Sequence, residues 1–129
     1  MKSDEILDDI PFSERIAKVR ARFASKLAEK IRATEAAMTH LAGDGHDTVA
    51  AVATVYRWFH DMYGISSTIG FDLVGQAART LDAVLVGPFR DRRGLRGDEL
   101  AQLKEGLDAL RMAARTEMQS KDIDQEFKS

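Results

Sequence analysis

The sequence predicts an all-α fold, an antiparallel four-helix bundle, and three observations carry that prediction. Apolar residues recur at steps of three and four along four separate stretches, as in helices that bury one face. Few strand-type alternations of apolar and polar residues occur. Both prolines, Pro11 and Pro88, fall at the edges of the helical stretches, and glycine groups at Gly43–Gly45 and Gly94–Gly97 lie between them. At 129 residues the chain reads as one domain, 1–129, long enough to bury a core without metals or crosslinks.

Each element follows from local signals. Residues 1–12 are acidic and end in Ile10-Pro11-Phe12; they read as a loose end, a docking segment or a short N-terminal helical segment. Ser13 is the expected N-cap of the first helix, with Glu14 favourable in its first turn. That helix runs to about Leu41, with Ile16, Val19, Phe23, Leu27, Ile31, Thr34, Met38 and Leu41 inward. A straight rod of that length spans roughly 45 Å, so a bend or break is expected near its start. Gly43 to Asp47 form a turn, and Asp47 or Thr48 caps the second helix, which ends near Ile69. Its inward residues are Val52, Val55, Phe59, Met62 and Ser66. Gly70 breaks the pattern, and Asp72 is placed to cap a third helix running back to about Val86. The apolar side of that helix is Leu73, Val74, Ala77, Leu81, Val84 and Leu85, and Gly87-Pro88 is its expected end. After a loop from Phe89 to Gly97, Asp98 and Glu99 open the fourth helix at its positive end. Leu100, Leu103, Leu107, Leu110, Ala114 and Met118 form its seam, and residues 121–129 are expected to be loose.

Composition removes several function classes. With no cysteine there is no disulfide, thiolate zinc site or cysteine nucleophile. Met1-Lys2-Ser3-Asp4-Glu5 lacks the basic start and apolar core of a secretory signal, and no apolar run is long enough for a bilayer. A formal charge of −2 gives no drive toward nucleic acid. The expectation is a soluble cytoplasmic protein with neither membrane nor nucleic acid as partner. His40 and His46 lie six apart across a turn with no third ligand behind them, so no metal is expected. Arg90, Arg92, Arg93 and Arg96 read as a solvated basic loop near the start of the second helix, within reach of the rim of a docked partner. Ser66, Ser67 and Thr68 read as small packing residues, because no base is directed at them. Trp58 fits either a partner anchor or a cover for the bundle surface.

His60 is the most informative residue. With Val52, Val55, Phe59, Met62 and Ser66 inward, a rotation of about 100° per residue puts His60 on the flank of the buried face. Gly64 lies one turn later on the same side and Ser67 two turns later. A glycine inside a helix costs roughly 1 kcal/mol relative to alanine, and here it clears space beside the histidine. Asp82 follows the core position Leu81 about ten residues into the returning helix, so His60 and Asp82 face each other across an antiparallel seam. A carboxylate accepting from Nδ1–H fixes the tautomer and leaves Nε2 unprotonated, oriented and nucleophilic. Such an imidazole attacks phosphorus without a separate base.

The spacing from His60 to Gly64, Gly70 and Leu81-Asp82 resembles the histidine-containing phosphotransfer (HPt) domain, whose pattern is H-x-x-K-G, five small or apolar residues, G, then a helix ending in L-E or L-Q. The match covers about Tyr56 to Leu85, and the helical pattern extends the likeness over most of the chain. The resemblance implies a four-helix bundle that relays a phosphoryl group between receiver-domain aspartates, a stoichiometric phosphocarrier of bacterial-type two-component signalling rather than a turnover enzyme. It implies His60 as phosphoacceptor, Asp82 as the residue orienting the ring, and Gly64 as the opening for the receiver. The partners implied are receiver domains of a hybrid histidine kinase and of a response regulator. The chain needs no cofactor of its own; the receiver supplies Mg²⁺. A monomer is expected. The family's usual lysine, three residues after the histidine, is replaced by Tyr63, which brings a hydroxyl but no charge. Arg57, one turn before His60, is the expected substitute, with Arg79 another cation near the seam. Tyr56, Ser67 and Arg79 are the expected partner-contact residues. The competing expectation is a helical interaction protein that binds or sequesters a receiver without accepting phosphate.

Overall fold

A computed structural model describes residues 11–128, with side chains as far as Ser120. Among the described residues every regular element is helical: α1 (Phe12–Ala36), the short α2 (Met38–Leu41), α3 (His46–Ser66), α4 (Asp72–Asp91) and α5 (Gly97–Lys128). The four long helices pack antiparallel. The α3–α4 hairpin has the most extensive interface, α4 packs next against α5, and α1 lies along α5 with lighter contact to α3. Of the segment 1–12, expected to be loose, residues 1–10 lie outside the described residues, and Phe12 instead opens α1.

One apolar core joins these elements. It takes Val52, Val55, Phe59 and Met62 from α3, Val74, Ala78, Leu81 and Leu85 from α4, Leu103, Leu107 and Leu110 from α5, Leu27 and Ile31 from α1, and Leu41 from α2. The inward set expected for α3, Ser66 included, is buried without exception. Full burial of a Leu or Phe side chain contributes about 1.5–3 kcal/mol, so this heptad-like face holds the hairpin together. At Gly106 the Leu81 side chain of α4 presses on the α5 backbone; a Cβ there would lie 2.5 Å from Leu81 Cδ2. Val19 and Leu73, expected inward, are 44% and 45% exposed. Leu73 occupies the first turn of α4. Val19 precedes the point where α1 meets the bundle, marked by Arg20 Nε donating to the Ile69 carbonyl at 2.8 Å and by the Phe23–Phe71 ring pair at 5.7 Å.

The helix ends differ from expectation because tertiary partners complete them. Pro11, not Ser13, occupies the position before α1, and Gly45 rather than Asp47 or Thr48 precedes α3. The Thr48 hydroxyl instead donates to the His40 carbonyl at 2.8 Å. Phe71 precedes α4, Asp72 is its first helical residue, and the Val74 N–H donates to Glu117 Oε1 of α5 at 2.7 Å. The break in the first rod comes at Ala37, near its end rather than its start. There the Thr34 hydroxyl donates back to the Lys30 carbonyl at 2.7 Å, a local bond that bends helices.

Two C-termini close alike. After α3 the Phe71 N–H donates to Ser66 O at 2.8 Å and Gly70 N–H to Ser67 O at 3.3 Å, with Gly70 at φ 82°. This Schellman closure needs a left-handed residue, which glycine supplies without strain. α4 does not stop at Gly87-Pro88; it continues to Asp91, where Arg93 N–H donates to Pro88 O at 3.1 Å and Arg92 takes φ 53°. An interior proline forfeits one backbone bond. Here that loss falls near the end, Pro88 is buried, and Phe89 stacks on Tyr56 with centroids 4.3 Å apart. At the start of α5, Glu99 accepts the Arg96 N–H at 2.8 Å, half of a capping box. The helix runs on through Lys121 to Lys128, so the end expected to be loose from Lys121 continues the helix instead. The two loops at this end are pinned together: Leu95 N–H donates to Leu41 O at 2.8 Å, and a Cβ on Gly94 would sit 2.1 Å from Gly43 O.

Candidate functional site

The α3–α4 register sets the site. Ser66 faces Gly75, where a Cβ would lie 2.8 Å from Ser66 Oγ; two turns on, His60 faces Asp82; one turn further, Tyr56 faces Phe89. Phe59 and Leu81 are fully buried, so the residues that follow them emerge at the flanks of their helices and meet at the seam. His60 Nδ1 lies 3.1 Å from Asp82 Oδ1, with the two side chains 56% and 22% exposed. An ionised carboxylate only accepts, so Nδ1 is the nitrogen that carries a proton toward Asp82, and in the neutral ring this leaves the lone pair on Nε2. Nε2 has no partner among the described residues.

The ring is also held on a face. Tyr56, one turn earlier on α3, stacks on His60 with centroids 5.5 Å apart and planes 23° from parallel. Tyr56 is in turn stacked on Phe89, at 14° from parallel. On the other side along α3, Gly64 is exposed and a Cβ there would meet nothing within 4 Å. No packing constraint within the fold therefore calls for glycine at this helical position. The arrangement presents an oriented, solvent-reachable imidazole beside an open strip of helix.

The other site residues divide into those near His60 along α3 and those elsewhere. Tyr63 is 39% exposed, and its side chain makes no polar or ring contact among the described residues. Ser67 is exposed in the turn after α3, and Arg79 is exposed one turn before Asp82 without an ion pair among the described residues. Arg57 is likewise exposed and unpaired; it lines an open cleft of about 690 Å³ with His46, Asp47, Phe89, Arg90 and Arg92. The basic loop thus lies beside the start of α3, as its place in an up-down bundle implies. Arg93 is not part of that free charge: its guanidinium donates to both carboxylate oxygens of Glu99, at 2.7 and 3.1 Å. That hydrogen bonding to Arg93 holds the Glu99 carboxyl below its ordinary range against the opposing effect of burial, and the same bond raises Arg93.

Trp58 covers the bundle surface, half-buried beneath Lys30 Nζ at 4.1 Å from its ring centre. Ser66 donates to the Tyr63 carbonyl at 3.1 Å, a packing role. Two contributors escape the sequence pattern. The proline before Phe89 reads as a helix end and so puts Phe89 in a loop, which conceals its stack on Tyr56. Glu117 lies one residue before the apolar seam position Met118, and nothing local marks it as the acceptor for a distant helix N-terminus. Among the described residues no group of three or more His, Asp or Glu side chains could hold a metal, and no helix is long and apolar enough to cross a membrane.

No family model, curated protein or solved structure matches this chain.

Proposed function

We propose that the chain is a histidine phosphotransfer protein that carries a phosphoryl group between receiver-domain aspartates on His60. The observation that supports this reading is the exposed His60 ring with Nδ1 on Asp82 and Nε2 free. In the forward step the Nε2 lone pair attacks phosphorus of an aspartyl phosphate in line with its leaving oxygen. The N–P bond forms as the P–O bond to the partner aspartate breaks, and that electron pair leaves on the aspartate carboxylate. The ring keeps its Nδ1 proton and becomes a phosphoimidazolium whose positive charge faces Asp82. Delivery to a second receiver reverses these events. No proton has to be removed, so no general base is needed. The chain acts as a stoichiometric carrier, and the receiver brings Mg²⁺ and the acyl phosphate.

Gly64 leaves the helix surface beside His60 flat enough for a receiver to approach. Arg57 is the proposed charge partner for the phosphoryl oxygens, in place of the lysine that Tyr63 replaces. Ser67 and Arg79 form the outer contact. The decisive experiment supplies a phosphorylated receiver and measures acid-labile phosphate on the chain. Label is expected on the wild type and not on His60→Gln, with slower uptake by Arg57→Ala. The uncharged Tyr63 favours one second reading, a bundle that docks and sequesters a receiver. Receiver binding by the wild type without label from any donor would establish that reading instead.

A further inference from the structure

The bond to Asp82 fixes one edge of the His60 ring but not its plane. A ring held at a single nitrogen still swings about the Nδ1···Oδ1 line and exchanges hydrogen-bond partners with water. The second restraint is the Tyr56 ring, 5.5 Å away and 23° from parallel. Tyr56 cannot turn aside freely, because Phe89 of α4 stacks on it at 4.3 Å and 14°. The three rings form a stack that crosses the α3–α4 seam one turn from the His60–Asp82 bond. Tyr56 is therefore engaged by two rings inside the chain, which is a poor arrangement for a docking anchor and a good one for a backstop.

We propose that Tyr56, backed by Phe89, is a positioning residue for His60: it sets the plane of the imidazole, keeps the proton on Nδ1 against Asp82, and holds Nε2 toward an approaching receiver. The functional consequence rests on the phosphotransfer reading above; the positioning itself does not. A second effect follows from the chemistry of transfer. The ring gains positive charge on phosphorylation, and the electron-rich face of a tyrosine attracts a cation placed over it. The stack thus favours the phosphorylated ring as well as the attacking one.

The test uses the full chain in three variants. Tyr56→Leu removes the flat face but keeps apolar bulk, Tyr56→Phe keeps the face, and Phe89→Leu removes only the backing. Nitrogen NMR of the His60 imidazole reports the share of the Nδ1–H tautomer without any receiver, and phosphoryl uptake is then timed from a phosphorylated receiver. Tyr56→Leu is expected to lower the Nδ1–H share and slow uptake about three- to tenfold, the worth of one aromatic pair. Tyr56→Phe should stay within about twofold of wild type, and Phe89→Leu should shift both readouts the same way by less. An unchanged tautomer share in Tyr56→Leu, or an equal loss in Tyr56→Phe, overturns the proposal. If no chain accepts phosphate, the phosphotransfer reading falls while the NMR comparison still decides the positioning. Should Tyr56→Leu fail to fold, as judged by circular dichroism, Phe89→Leu against wild type decides it by the same readout.

Discussion

His60 and Gly64 form a contrast that a single substitution can exploit. His60 is restrained twice, by a carboxylate on one nitrogen and an aromatic on one face, whereas Gly64 touches nothing a side chain would disturb. If the fold alone governed position 64, alanine would serve better there by about 1 kcal/mol, because it lowers the backbone entropy lost on helix formation. Gly64→Ala is therefore expected to raise the thermal midpoint and, on the proposed phosphotransfer reading, to slow phosphoryl uptake at the same time, since the added methyl would stand between a docking receiver and His60. Melting curves and transfer rates check the two halves separately, and a stabilised variant with undiminished transfer removes the access role. The His60–Asp82 pair was legible in the sequence for a simple reason: each residue follows a core position, and one helical step carries it to the flank. The Tyr56 backstop was half legible. Its spacing of four from His60 is plain, but its other support comes from a residue that the preceding proline assigned to a loop.

Helix interiors could be read from periodicity; helix ends could not, because their partners are distant in sequence. Thr48 donates to His40, Glu117 accepts from Val74, and neither bond leaves a local trace. Gly70 after α3 and the start of α5, announced by Asp98 and Glu99, are the exceptions, and at the second the electrostatics give a pH prediction. The Glu99 carboxyl is lowered mainly by its hydrogen bonds from Arg93 and further by the Arg96 N–H. Just below the ordinary carboxylate value of about 4.3, the unfolded chain binds this proton more readily than the folded one. The contribution is thus fully present above that value and is lost as pH falls through the lower folded value. Glu99→Gln keeps the oxygen that caps Arg96 but not the charge. It should be less stable than wild type near neutrality by about 0.5–1 kcal/mol. Denaturant titrations of the pair at stepped pH should show this difference shrinking below the carboxylate range; a constant difference down to strongly acid pH contradicts the assignment.

At the scale of the molecule, the bundle was legible because its four amphipathic stretches and turn signals agree. The unequal grip on its helices was not. Periodicity treats α1 as one inward-facing rod, yet its buried residues are Leu27, Ile31 and Thr34, all in the second half. Its first half is joined to the rest through Arg20 on the Ile69 carbonyl and Phe23 on Phe71. The α3–α4 hairpin, by contrast, buries residues along its whole length and is closed at the turn by Gly70. Segments with few buried contacts open locally at less free energy than the global transition. Amide exchange is therefore expected to be fastest, among the helices described with their side chains, over the first two turns of α1. Amides of α3 near Val55–Met62 and of α4 near Ala78–Leu85 should exchange only at the rate of global unfolding. Arg20→Ala should extend the fast-exchanging stretch toward Phe23 and leave the α3–α4 amides unchanged. If the start of α1 instead exchanges together with Phe59 and Leu81, the bundle opens as a single unit. If Arg20→Ala also speeds exchange around His60, the site depends on α1. The geometry argues otherwise: Asp82, Tyr56 and Phe89 all belong to the hairpin, so the restraints on the imidazole survive fraying of the first helix.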